Sequence, residues 1–310
     1  MKTMKSLVCS ILLALPMTGA IAQACHPVDM VRARGGVLGS VRSPGNYCLQ
    51  TDLTQPNQFD IHAMTFKTTA GASLLSIRCT GNASCRQLTY RDVADIDLSG
   101  HTLDAESKDM VGIAGHAWRG GVTIHNGAIR VPGSRDTNIG IDLQSDLDPL
   151  TRPDGTRCAI VEQACGASAN GNAAPAYQTT RYLIDKVEVH AGVQGIRMIG
   201  NGNTVRNSVI EVDGWSGLAL FGKQSLVENN TIILHAKGDT LPSAAAIQLR
   251  DAEGSILRNN RIVFKGGRLD KAPPAIRLID SSDVQLEGNT FEGFDGRIEQ
   301  VGTSSYRINR

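Results

Sequence analysis

Aromatic side chains are scarce, with 2 Trp, 5 Tyr and 6 Phe in 310 residues. Few large core side chains are therefore expected, and the 33 glycines point to many tight turns. Charge of one sign is missing too: 31 basic residues face 30 acidic ones. Bulk attraction to nucleic acid or to an anionic membrane is thereby excluded. Beyond residue 24 no apolar run approaches the ~18 residues of a spanning helix. The nucleotide-binding glycine motifs, H-E-x-x-H, G-x-S-x-G, the EF-hand loop and C-x₂-C zinc spacing are all absent. A hydrophobic fraction of 41% with 20% charged residues excludes a largely disordered chain.

Residues 1–24 read as an export signal. Lys2 and Lys5 precede the apolar stretch Ser6 to Ile21, and Ala22, Gln23 and Ala24 form an A-x-A cleavage site. The product is expected to be secreted or periplasmic. Cys25 takes the position of a lipidated cysteine, but the preceding tripeptide fits such a modification badly. Six cysteines follow the cut: Cys25, Cys48, Cys79, Cys85, Cys158 and Cys165. An even count in an exported chain favours disulfides over metal ligation. Spacing favours Cys79–Cys85 and Cys158–Cys165 as local pairs, leaving Cys25–Cys48 to hold the new N-terminus, among fifteen possible pairings.

A weak repeat runs through the C-terminal two-thirds. Leu183 to Val189, Val205 to Val212, Val227 to Leu234, Leu257 to Phe264 and Leu286 to Phe291 share period-two alternation. Aligned on Asp185, Asn207, Asn229, Asn259 and Gly288, they recur at roughly 22 and then roughly 30 residues. A second strand follows most of them: Gly195 to Ile199, Gly217 to Phe221, Ala246 to Arg250, Ala275 to Ile279. No helix fits between units, which excludes an α/β sheet. A coil of three short strands and three turns, each strand pairing with its copy one coil on at about 4.8 Å, satisfies the pattern. Asp95 to Leu103 and Val122 to Val131 repeat it earlier, and residues 145–180 read as an inserted loop.

Pro44 to Leu49 (PGNYCL) followed by Asp95 to Leu103 (DIDLSGHTL) resembles the opening of bacterial β-helix-repeat proteins. Residues 91–303 together resemble the right-handed parallel β-helices of the pectin lyase-like superfamily. The expected chain is all-β: a signal peptide over 1–24, an N-terminal cap over 25–90, and a parallel β-helix over 91–310. The cap would hold an edge strand, Phe59 to Thr65, and a disulfide-tipped hairpin, Leu75 to Tyr90. The resemblance also implies an internal asparagine ladder at Asn230, Asn260 and Asn289.

Chemistry is sought where outward side chains stack on successive coils. Aligned by inward residues, one column reads Glu188, Glu211, Ile233, Val263. The next reads His190, Asp213, His235, Lys265, with Trp215 just beyond. Neighbouring imidazoles and carboxylates supply an acid and a base, so His190, Asp213, His235 and Glu211 are the candidate catalytic residues. The second-strand face offers Asp142, Arg197, Ala219, Gln248, Arg277 and Glu299, with Arg250 beside them. Arg197, Arg250, Arg277, Lys265 and Trp215 are the candidate substrate ligands, the arginines matching carboxylates of an acidic sugar chain. His62, His101, His116 and His125 stand alone and read as structural or surface residues. The expected function is an exported enzyme acting on an acidic polysaccharide by lyase, epimerase or hydrolase chemistry. The alternative is a non-catalytic glycan-binding or envelope-structural β-helix. Calcium is the one cofactor the resemblance implies for the lyases of the superfamily; no metal ligands are assigned, and a monomer is expected.

Overall fold

The structure, a computed structural model, describes residues 25–33, 36–55, 72–77, 87–106, 110–116, 118, 120–133, 138–144, 177–236, 244–266 and 273–309. Those residues form strands and turns with no α-helix. Parallel strands stack into three facets. The first facet runs through Gly45–Cys48, Val93–Asp97, Gly121–Val131, Leu183–Ala191, Thr204–Arg206, Leu226–Glu228, Ile256–Arg258, Val284–Glu287 and Tyr306–Asn309. The later halves of Gly121–Val131 and Leu183–Ala191 open the second facet onto Val209–Val212, Thr231–Leu234, Arg261–Phe264 and Thr290–Glu292. The third carries Gly36–Val41, Ala72–Ile77, Met110–His116, Ile139–Gln144, Gln194–Ile199, Ser216–Phe221, Ile247–Arg250, Ile276–Ile279 and Ile298–Val301. This is a right-handed parallel β-helix.

Alternation puts every second side chain inside, and the register stacks like on like. On the first facet Ile96, Ile124, Ile184, Val205, Val227, Leu257 and Leu286 form one inward column. On the third, Ile113, Ile141, Ile196, Leu218, Ile247 and Ile276 do the same, each fully buried. Each such side chain contributes about 1.5–3 kcal/mol by leaving water. The aliphatic stack replaces the aromatic core that the composition lacks.

A left-handed residue turns the chain between the first two facets: Asn126, Lys186, Asn207, Asn229, Asn259 and Gly288, with φ of 58°, 55°, 52°, 57°, 55° and 61°. Asparagine and glycine tolerate that conformation best. The equivalent of Asn207 is therefore Lys186, one residue beyond the Asp185 that the sequence alignment used. The ladder asparagines sit one position after the corner. Asn260 Oδ1 accepts from Asn230 N and Nδ2, both at 3.0 Å, and Asn260 Nδ2 donates to Asn289 Oδ1 at 2.8 Å and to Val227 O at 2.9 Å. Ser208 N continues the ladder to Asn230 Oδ1 at 3.0 Å. Asn260→Ala takes a partner from two donors, Asn230 N and Nδ2, and from two acceptors, Asn289 Oδ1 and Val227 O. Its expected cost is about 1–3 kcal/mol per group left unpaired, read as a lower urea midpoint at unchanged m-value.

Outside, the first facet carries a column of alternating charge: Asp97, His125, Asp185, Arg206, Glu228, Arg258, Glu287. Arg206 Nη2 meets Asp185 Oδ2 at 2.9 Å, and Arg258 Nε donates to Glu228 Oε2 at 2.7 Å. His125 stands between Asp97 and Asp185 in this column, its Nε2 3.0 Å from Asp95 Oδ1.

Parallel stacking begins before residue 91, where a separate cap was expected. Gly39 to Val41 pair in parallel with Leu75 to Ile77, and these with Ile113 to Gly115. Leu75 thus lies in a coil strand, whereas a hairpin was expected to start there. Among the described residues only Asp29–Ala33 pairs antiparallel, onto Gly36–Val41. Cys25 and Cys48 form a disulfide, their Cα atoms 5.7 Å apart. Cys79, Cys85, Cys158, Cys165, the Phe59 to Thr65 strand and nearly all of the 145–180 loop lie outside the described residues.

Candidate functional site

The second facet groups the titratable side chains differently from the sequence alignment. Glu188 pairs with Val209, Val189 with Ile210, and His190 with Glu211. His190 is thus one coil from Glu211 in the same outward column and is not aligned with Asp213. The equivalent of Asp213 on that coil is Gly192: Gly192 N donates to Val131 O, Asp213 N to Ala191 O, His235 N to Val212 O and Lys265 N to Leu234 O. The slip of two residues has a local cause. Leu183–Ala191 carries a lysine at its corner, so no asparagine marks its register.

The corrected register makes a tighter site. Asp104, Arg130, His190, Glu211 and Ile233 form one outward column, a coil apart. Beside it, along the corner, stand Asp213, His235 and Lys265. His235 Nε2 lies 2.5 Å from Glu211 Oε1, so Glu211 serves His235 directly and faces His190 one coil away. Side-chain exposures of 19% for His235 and 34% for Glu211 leave both reachable from solvent. Trp215 is half-buried at the turn after Asp213, its carbonyl accepting from Ala245 N at 3.1 Å.

The hydrogen bond with His235 holds the Glu211 carboxyl below the usual carboxylate range. The charges of His235, His190 and Lys265 act in the same direction, and partial burial opposes them. Glu211 is therefore ionised at neutral pH, able to orient and stabilise an imidazolium but not to donate a proton. A depressed folded-state pKa contributes stability above the unfolded value, 4.5 for glutamate, and that contribution is lost as pH falls through the lower folded value. Urea midpoints of the wild type should therefore fall more steeply below pH 4.5 than those of Glu211→Gln, and the two profiles should run parallel above it.

Two residues of this column escaped the sequence alignment. Arg130 is exposed and stacks on His190, and half-buried Asp104 stacks on Arg130. The signal was available: Ile129 and Val131 flank Arg130 as Val189 and Ala191 flank His190, but the alignment ran through Pro132.

On the third facet the expected register holds throughout: Asp142, Arg197, Ala219, Gln248, Arg277 and Glu299 follow one another coil by coil. Its face is buried, however. Arg197 Nε donates to Asp142 Oδ1 at 2.7 Å and Nη2 reaches Oδ2, with Asp142 fully buried. Arg277 Nε donates to Glu299 Oε2 at 2.5 Å. These two arginines are committed to neighbouring carboxylates and present no open fork to a substrate in this arrangement. Among the described residues no group of three His, Cys, Asp or Glu side chains could hold a metal ion. No helix among them is long and apolar enough to cross a membrane.

The profile of a protein family described as "Right handed beta helix region" matches residues 156–310. No curated protein and no solved structure matches the chain.

Proposed function

Because the chain belongs to the right-handed β-helix family, we propose that its second facet binds and acts on an acidic polysaccharide in the exported compartment. The observation that carries this reading is the contact of His235 with Glu211, with His190 in register on the next coil. A solvent-reachable imidazole oriented by an ionised carboxylate is a general base at neutral pH. Arg130 and Lys265 flank the histidines with positive charge, suited to a uronate carboxylate and to the charge that develops as its C5 proton is lost. His235 or His190 takes that proton; the other imidazole, once protonated, returns one to the leaving oxygen or to the opposite face of the ring.

Glycoside hydrolysis in its usual form needs a carboxylic acid kept protonated by its surroundings. Glu211 is shifted the other way, which favours elimination or epimerisation. The Cys25–Cys48 bridge supports an oxidising location, secreted or periplasmic.

The test is absorbance near 235 nm over a panel of polyuronides, with C5 proton exchange followed by NMR and reducing-end release measured alongside. Unsaturated product or exchanged C5 protons is the expected result. Binding without any of the three signals would favour the alternative, a glycan-binding or envelope-structural protein.

A further inference from the structure

Three arginines point outward from the third facet, and only two are answered there. Arg250 is stacked in register between Phe221 and Ile279 and is 7% exposed. It makes no hydrogen bond or ion pair with any described residue. No nitrogen of Arg250 is among the fully buried atoms without a partner, so its donors reach the surface through a narrow opening and can be used by a ligand.

Its chain neighbour supplies the complement. Asp251 sits at a left-handed corner, φ 51°, with Asp280 one coil on. Asp251 Oδ2 accepts from the Tyr177 hydroxyl at 2.7 Å, and Oδ1 accepts no hydrogen bond from the described residues. Burial, then the neighbouring Asp251, pushes the Tyr177 phenol well above its ordinary range, so its proton stays in place. The Tyr177 ring packs against the buried patch of Ile199, Ala219 and Phe221. That leaves a donor fork, a carboxylate oxygen and an aromatic ring within one small neighbourhood.

Charge decides the ligand class. Arg250 faces Asp251 with Asp280 nearby, and Lys223 is paired with Glu253. The neighbourhood has no cationic excess, so a free anion gains little there. A neutral polyol uses both groups: one hydroxyl accepts from the guanidinium while another donates to Asp251 Oδ1. We infer that the third facet carries a second binding site, for a neutral sugar, formed by Arg250, Asp251 and Tyr177. It is separate from the acidic-chain site of the second facet and does not depend on it.

The experiment is thermal melting of the full chain with D-galactose, D-glucose, D-xylose and L-rhamnose, and with D-galacturonate and inorganic phosphate as charged arms. At least one neutral sugar should raise Tm saturably, by about 3–6 °C at ten times its Kd. Arg250→Met and Asp251→Asn should each weaken that response at least tenfold, Arg250→Lys should weaken it less, and His235→Ala should leave it intact. Circular dichroism checks that each variant folds; Asp251→Asn and Arg250→Lys decide the matter if Arg250→Met does not. The inference is overturned if no neutral sugar shifts Tm, which would mean the groups hold water alone. It is equally overturned if only the charged probes bind, if the shift survives both Arg250→Met and Asp251→Asn, or if His235→Ala abolishes it. None of these outcomes bears on turnover of an acidic chain.

Discussion

His235→Ala and Glu211→Gln should each lower turnover on an acidic glycan by about 10²–10⁴-fold, the usual loss for a general base or its orienter. The two side chains are joined by a single 2.5 Å contact. The double variant should consequently be little slower than the worse single one, because paired catalytic groups are strongly non-additive. His190→Ala, one coil away and without that contact, should lose at least tenfold and combine multiplicatively with the pair. Tm should change little in any of them, since all three point outward from the core. Initial rates at saturating and limiting substrate separate the pair's effect on kcat from any effect on KM. Full turnover after removal of both histidines would put the chemistry elsewhere.

Arg197→Met should be the most damaging of the outward-facing changes. It removes the guanidinium from a fully buried Asp142, to which Gln144 Nε2 still donates at 3.0 and 3.1 Å. Breaking a buried ion pair from one side costs about 3–5 kcal/mol, which corresponds to a fall in Tm of roughly 6–20 °C for a chain of this size. Replacing both partners, Asp142→Leu with Arg197→Met, should return Tm close to the wild-type value, because no charge is then buried alone. A double variant as unstable as the single would mean that the pair's geometry, not its charge, supports the facet.

The repeat, its three-strand coil and the inward columns were legible because period-two alternation is written directly into residues such as Ile210, Val212, Ile232 and Leu234. Register was legible where that pattern is uninterrupted. The third-facet column from Asp142 to Glu299 follows from the unbroken runs Ile196 to Met198, Leu218 to Leu220 and Ile247 to Leu249. It failed at Leu183–Ala191, where a left-handed lysine stands at the corner that four other coils mark with asparagine and one with glycine. Two residues of slip preserve the inside-outside pattern, so hydrophobicity gave no warning, yet they exchange Asp213 for Glu211 as the neighbour of His190. Burial of the third facet's outward face was not legible at all. Covering it is a long-range event, and the arginines on it look like any solvated stripe until Arg197 is seen against Asp142.

The alternating column on the first facet also bears on how the coils find their order. The first facet's inward column from Ile96 to Leu286 is aliphatic, so a strand that skipped one coil would still bury Ile or Val against Val or Leu at little cost. On the outside the same skip sets Asp185 against Glu228, Arg206 against Arg258 and Glu228 against Glu287, like charge on like charge three times over. Directly opposed like charges destabilise a sheet by an amount of the same order as the ~0.2–1 kcal/mol an opposite pair contributes. A column of modest stabilising worth thus proofreads assembly: it distinguishes the next coil from the one after it, which a uniform core does not.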